Sequence, residues 1–154
     1  MGVCSSATIV DGDYANGSVW QEGVNEYMTV QSHAVLPVGS VIVISHDDEG
    51  PRTAAPATLA VYQRIGVVVV ASTAANEWIK VQTRGFAEAL VEGTTDVTVD
   101  DYLEVLTTET AFKLDHATAR STNSVAVAVD AVADAGPALA TVFLLGDPAI
   151  VAAS

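Results

Sequence analysis

Hydrophobic positions come in short bursts along this chain rather than at helical spacing. Val41-Ile42-Val43-Ile44 is a run of four β-branched residues behind the turn-like Pro37-Val38-Gly39. It is too short for a helix and its side chains suit a pleated sheet, so it predicts a strand. Ile65-Gly66-Val67-Val68-Val69-Val70 predicts the strongest strand in the chain. A polar connection over 72–76 leads to Trp78 through Gly85, which alternates cleanly. Ile79, Val81 and Thr83 face one side; Lys80, Gln82 and Arg84 face the other. Two strands joined by a short polar loop predict a hairpin.

The rest of the chain repeats this grammar. His46 to Pro51 reads as a polar loop with Gly-Pro punctuation, and Thr53 to Tyr62 as either a short helix or a loop. Phe86 to Glu92 fits one helical turn or a continued strand, ended by Gly93. Val97-Thr98-Val99 leads through Asp100-Asp101 to a strand at Tyr102 to Leu106, and Ala111 to Leu114 looks like its return. After a polar loop over 115–124, Val125 to Val129 alternates, and Leu139 to Leu145 is the last long strand, closed by Gly146-Asp147-Pro148.

Two stretches echo each other. Ile65 to Val69, an Ala-containing turn and a strand ending at Gly85 form one unit; Val125 to Val129, an Ala-rich turn and a strand ending at Gly146 form the other. The offset is 60 residues at the start and 61 at the closing glycine. Two similar hairpins point to a small barrel or two-layer β domain and not to a solenoid, which needs at least about three repeats. The fold expected is therefore all-β with at most one or two short helices: a small β-barrel or β-tulip-like domain over residues 35–154.

Residues 1–34 lack a sustained period and hold Gly2, Gly12, Gly17 and Gly23 with scattered aromatics. They read as an extended N-terminal arm. Thr8, Ile9 and Val10 lie in its β-like stretch, and Tyr14 and Trp20 are aromatic anchors that need burial on this domain or on a partner.

Composition agrees with the pattern. The chain has 25 Val, 15 Thr and 6 Ile against 9 Leu, so 46 of its 154 residues are β-branched. Half of the residues are hydrophobic, which argues against disorder. Charge narrows the partners. Six basic residues against 19 acidic ones give a net charge of −13, a poor match for DNA, RNA or anionic lipid. The longest apolar run, Ile65 to Ala71, spans 7 residues where a membrane helix needs about 20. No basic-then-apolar leader opens the sequence, and the single Cys4 permits no intrachain disulfide.

Candidate chemistry is sparse. No nucleophile elbow, phosphate-binding glycine loop or paired-histidine zinc motif occurs. His33, His46 and His116 stand far apart. Asp11, Asp13 and Glu22 match three positions of a calcium loop, but Ala15 and Asn16 stand where an oxygen ligand and glycine belong. Asp96, Asp100, Asp101 and Glu104 flank a strand start and read as a solvated rim. No cofactor, metal or enzymatic activity is expected. Trp78, Arg84 and Tyr102 are candidates for a subunit interface, with Arg84 pairing an acid across it.

The order of these features resembles the capsid decoration, or cement, proteins of tailed bacteriophages. Leu36-Pro37-Val38-Gly39-Ser40-Val41-Ile42-Val43 is similar to their opening strand, and Ile65-Gly66-Val67-Val68 to their "Ile-Gly-Val-Ala" strand. Ile79 to Gly85 is similar to their "Val-x-Val-x-Thr-x-Gly" strand, and Asp100 to Val105 to their "Gly-Asp-x-Leu-x-Val" segment. Val125 to Ala128 and Ala140 to Leu145 look like the second hairpin. The likeness spans residues 35–146; Asp100 and Ala126 stand where the family often has glycine. It implies a non-enzymatic, barrel-like module, made in the host cytoplasm, that binds the outer surface of the virion as a homotrimer. Its partner would be the major capsid protein, clasped by the arm through strand addition, with no nucleic acid or membrane involved. Other virion structural proteins, such as a head fibre or tail-associated β module, and a small β-sandwich binding module are the alternatives.

Overall fold

The computed structural model describes residues 18–48, 50–55, 64–93, 95–105, 113–117, 119–121, 124–133 and 137–146. All regular structure among them is β. The strands are β1 (Val19–Glu22), β2 (Asn25–Gln31), β3 (Val41–Asp47), β4 (Gly50–Ala54), β5 (Arg64–Val68), β6 (Trp78–Val91), β7 (Tyr102–Val105), β8 (Leu114–His116), β9 (Ser124–Ala128) and β10 (Ala138–Leu144). They form one sheet in the order β1-β2-β4-β3-β5-β6-β10-β9-β7-β8, with β2 and β8 also bonded to β6.

Those extra bonds close two five-stranded rings. The first runs β2-β6-β5-β3-β4 and returns to β2. The second runs β6-β10-β9-β7-β8 and returns to β6. In each ring four contacts are antiparallel and the closing one is a single parallel pair, Gln31 opposite Arg52 and Val91 opposite Leu114. The strand senses match one for one when β2, β3, β4, β5 and β6 are laid on β6, β7, β8, β9 and β10. The chain is an internal duplication in which β6 belongs to both halves. The all-β class expected from the sequence holds; the arrangement is ring-like around two cores, in place of one small barrel.

The sequence echo is the trace of this duplication. Val41 opposes Val67 as Tyr102 opposes Val127, and Ile42 opposes Gly66 as Leu103 opposes Ala126. Ahead of β3, Leu36 bonds Ser72, which follows β5, accepting from Ser72 N and donating to Ser72 Oγ; ahead of β7, Val97 and Val132, which follows β9, exchange two backbone bonds. Each closure also carries a cation. Arg52 reaches Gln31, and Lys113 is bonded to Glu92.

The two cores are unequal. The first is filled by Met28, Val30, Leu36, Ile42, Ile44, Val68, Ile79 and Val81. The second is lined by small side chains, Ala87, Ala89, Ala126, Ala128 and Ala140, and takes in Val41, Val43, Ile65 and Val67. β3 is therefore buried on both faces over its first four residues, which explains its unbroken β-branched run. Alanines leave the second ring room for the wall of the first.

Gly85 is the point where β6 passes from one ring to the other. Its φ is +92°, and a Cβ there would lie 2.1 Å from Asn25 Oδ1. That oxygen accepts the Phe86 N–H at 2.9 Å, so β2 grips β6 at the crossing.

Several boundaries differ from the sequence reading. Phe86 to Val91 continues β6 as a strand. The loop expected over His46 to Pro51 is a tight hairpin connection, because β3 reaches Asp47 and β4 begins at Gly50. β8 extends to His116, into the polar loop expected over 115–124. The largest change concerns the arm expected over 1–34. β1 and β2 are integral to the sheet, and Val30 is fully buried. Met28 and Val30 point into the first core, an alternation of two positions that is too short to stand out in sequence.

Candidate functional site

The side chains that stand out among the described residues lie on surfaces built on the outer faces of the rings. Along β6 the exposed Arg84, Phe86 and Glu88 alternate with buried Gly85, Ala87 and Ala89, so one face of this strand points outward from both rings.

Over the first ring this face carries aromatics. Trp20 on β1 stands opposite Tyr27 on β2, and the rings stack at 5.8 Å. Lys80 Nζ sits 4.4 Å from the Tyr27 ring centroid and 5.6 Å from that of Trp20. Each such contact contributes about 0.5–1 kcal/mol at an exposed position. The cluster pins β1 to the sheet and presents a cation with two flat rings.

Beside it lies an open polar cleft of about 480 Å³ lined by Gln31, Asp47, Asp48, Arg52 and Asn76. Arg52 organises it, with Nη2 donating to Asn76 Oδ1 at 2.7 Å and Nη1 to Asp47 Oδ2 at 3.4 Å. Asn76 adopts φ +66°, a conformation its short polar side chain tolerates. Trp78 opposes Gln31 in the sheet and reaches over Gly50. Behind the cleft His33 Nδ1 lies 2.6 Å from Thr53 Oγ1. Burial, helped by the Arg52 charge, pushes the His33 pKa below the usual histidine range. A base beside a hydroxyl suggests a nucleophile, but Thr53 is buried and its Oγ1 already accepts the His33 backbone N–H. The pair secures the turn after β2.

Over the second ring the outward face is apolar. Phe86, Phe143, Val127 and Tyr102 stand side by side across β6, β10, β9 and β7. Phe86 and Phe143 meet edge to face at 4.9 Å, and Phe86 remains 52% exposed. Arg120 lies over Tyr102 at 5.9 Å. At the other end the Arg84 stem crosses Gly146, where a Cβ would come within 3.1 Å of it.

The perturbed acids serve the fold. A hydrogen bond from Thr83, with the Arg64 charge 2.9 Å away, holds the Glu26 pKa below the ordinary carboxylate range. Asp101 accepts from Thr98 N at 2.7 Å and from its hydroxyl at 3.0 Å, which lowers its pKa too. Asp100 and Asp101 thus build the turn into β7. Among the described residues no three His, Cys, Asp or Glu side chains gather as a metal site.

The structure scatters the residues singled out in sequence. Thr8, Ile9, Val10 and Tyr14 lie outside the described residues. Trp20 and Trp78 flank the first ring, while Arg84 and Tyr102 stand at opposite ends of the apolar row on the second. Phe86, Phe143 and Val127, which complete that row, were not singled out. The alternation of Lys80, Gln82 and Arg84 pointed to Phe86, but the helix-or-strand ambiguity after Gly85 hid it. Phe143 needs the register of β10.

No protein-family model matches this chain, and no curated protein sequence matches it. Among solved structures, the fold is similar to that of the head fiber gp8.5 N base in bacteriophage phi29, with a TM-score of 0.54. The match covers 79% of this chain and 95% of that one at 17% identity. At that identity the likeness is one of fold.

Proposed function

We propose that this chain is a structural module of a bacteriophage virion, a decoration protein or the base of a head fibre seated on the outside of the capsid. The observation that carries the reading is the duplicated ring fold, which matches the head fiber base over 95% of that chain. The surface chemistry supports it. The two rings present aromatic, polar and apolar faces suited to protein contact, and the His33–Thr53 pair is spent on a turn. The module acts by binding and not by catalysis, with the major capsid protein as partner and three copies per attachment point. The net charge of −13 suits the outer side of a shell, since the inner side faces DNA of the same sign. Many identical attachments on one shell gain strength from avidity.

The head fibre reading is favoured over a clamp that only bridges capsid subunits by the identity of the structural neighbour itself. The test is binding of the purified full chain to heads of the phage that encodes it, stripped of the native copy. Saturable binding at fixed surface positions, seen by cryo-electron microscopy, is expected. Heads that pellet without the chain would sink the proposal.

A further inference from the structure

The duplication gives every outward position of the second ring a counterpart in the first. Tyr102 and Val127 correspond to Val41 and Val67, and both pairs are directly opposed in their ladders. Val41 and Val67 are 0% and 1% exposed because the second ring packs over them. Tyr102 and Val127 are only partly buried, and Phe143 and the half-exposed Phe86 extend the same row. The fold thus uses this face of its repeat as a packing surface once, within the chain, and presents it again at the end of the duplication.

We propose that the Phe86–Phe143–Val127–Tyr102 face takes a second copy of this chain. Charge selects that occupant. Two copies at −13 repel unless cations stand at the contact. Arg84, exposed two residues before Phe86 on β6, and Arg120, over Tyr102, stand at the two ends of the row. An apolar centre with arginines at its rim is the usual anatomy of a specific protein interface. The partner's carboxylates, 19 in an acidic chain, supply the complement.

The inference rests on the oligomeric part of the proposed function and not on the capsid. Sedimentation velocity of the full chain over a range of concentration tests it. The wild type is expected to associate, and Phe86→Glu and Val127→Glu to raise the dissociation constant by at least about 30-fold, the size of a hot-spot loss. Val35→Glu makes the same charge change at an exposed apolar site off the row and should leave association intact. Circular dichroism checks folding; where either variant fails to fold, Arg84→Glu, exposed on the strand, is read in its place with the same expectation. A wild type that stays monomeric, or an oligomer that all folded row variants leave unchanged, overturns the inference. Head binding is measured in parallel. An oligomer sensitive to Phe86→Glu that does not bind heads would overturn the capsid reading alone.

Discussion

Gly39 and Asp100 hold the same place in the two halves of the molecule, both with left-handed backbones, at φ +88° and +74°. Gly39 N donates to Val68 O and Asp100 N to Ala128 O, each at 2.9 Å. Ser40 and Asp101, the next residues, accept from Val68 N and Ala128 N. The turn that starts the second strand of each ring in chain order, β3 and β7, is therefore the same device built from different residues. Glycine is demanded only once. A Cβ on Gly39 would lie 2.3 Å from Leu139 Cδ2, whereas Asp100 is exposed.

That contrast sets the first expectation. Gly39→Ala should destabilise the protein by about 2 kcal/mol, combining the left-handed penalty with displacement of Leu139. Asp100→Gly should instead stabilise it by roughly 0.5 kcal/mol, since relief of the left-handed strain exceeds the added chain entropy. Urea unfolding of both variants decides it. A loss on Asp100→Gly as large as that on Gly39→Ala would refute the contrast.

Gly85 should tolerate no side chain. An alanine there faces Asn25 Cα and Val24 O, both at 2.8 Å, as well as the Asn25 oxygen, in a left-handed conformation. Backbone cannot yield as a flexible side chain can. Gly85→Ala is expected to cost about 3 kcal/mol or more. A melting temperature within two or three degrees of wild type, where each ~1 kcal/mol moves it by roughly 2–4 °C, would contradict the crossing geometry.

The pH dependence of Glu26 has a definite sign. Its folded pKa is depressed below the ordinary glutamate range, chiefly by the Thr83 hydroxyl. The ionised carboxylate therefore contributes stability that is fully present above the unfolded value and lost as pH falls through the folded one. Thr83→Val removes the 2.7 Å hydrogen bond to a charged acceptor and should cost about 1.5–3 kcal/mol at pH 7. The deficit should shrink as the solution is acidified below the folded pKa of Glu26. Guanidinium unfolding at several pH values reads this, and a deficit independent of pH would assign the loss to packing.

Deleting residues 1–17 leaves every described strand in place, including β1 at Val19–Glu22. The truncated chain is expected to keep its β spectrum and to lose attachment to heads, because strand addition by the Thr8-Ile9-Val10 stretch is the proposed clasp. Full attachment by the truncation would remove the arm from the binding model and leave the ring faces to carry it.

The second core should answer to volume in a way the first does not. Ala89→Leu adds bulk where the first ring's outer face is seated against alanines, and should cost about 1–3 kcal/mol by overpacking. Val30→Ala in the self-filled first core should cost a comparable amount by leaving a cavity. Differential scanning calorimetry compares them. A neutral Ala89→Leu would mean that the two rings are less tightly joined than their shared core implies.

Much of this was legible in the chain itself. β-branched composition and the runs at 41–44, 65–68 and 125–128 determine local extended structure, because their side chains fit a pleat and resist a helix. The 60-residue echo determined that the halves are alike, and the alternation of Ile79, Val81 and Thr83 with Lys80, Gln82 and Arg84 determined the two faces of β6, although Gln82 is buried in the fold. What the tertiary structure alone decided is how the halves join. Short periods say which side chains share a face but not which faces meet, since pairing between distant strands depends on register and closure over the whole sheet. That is why β2 was hidden in an expected arm, why β6 serves both rings, and why Phe86, Phe143, Val127 and Tyr102 become neighbours only after folding.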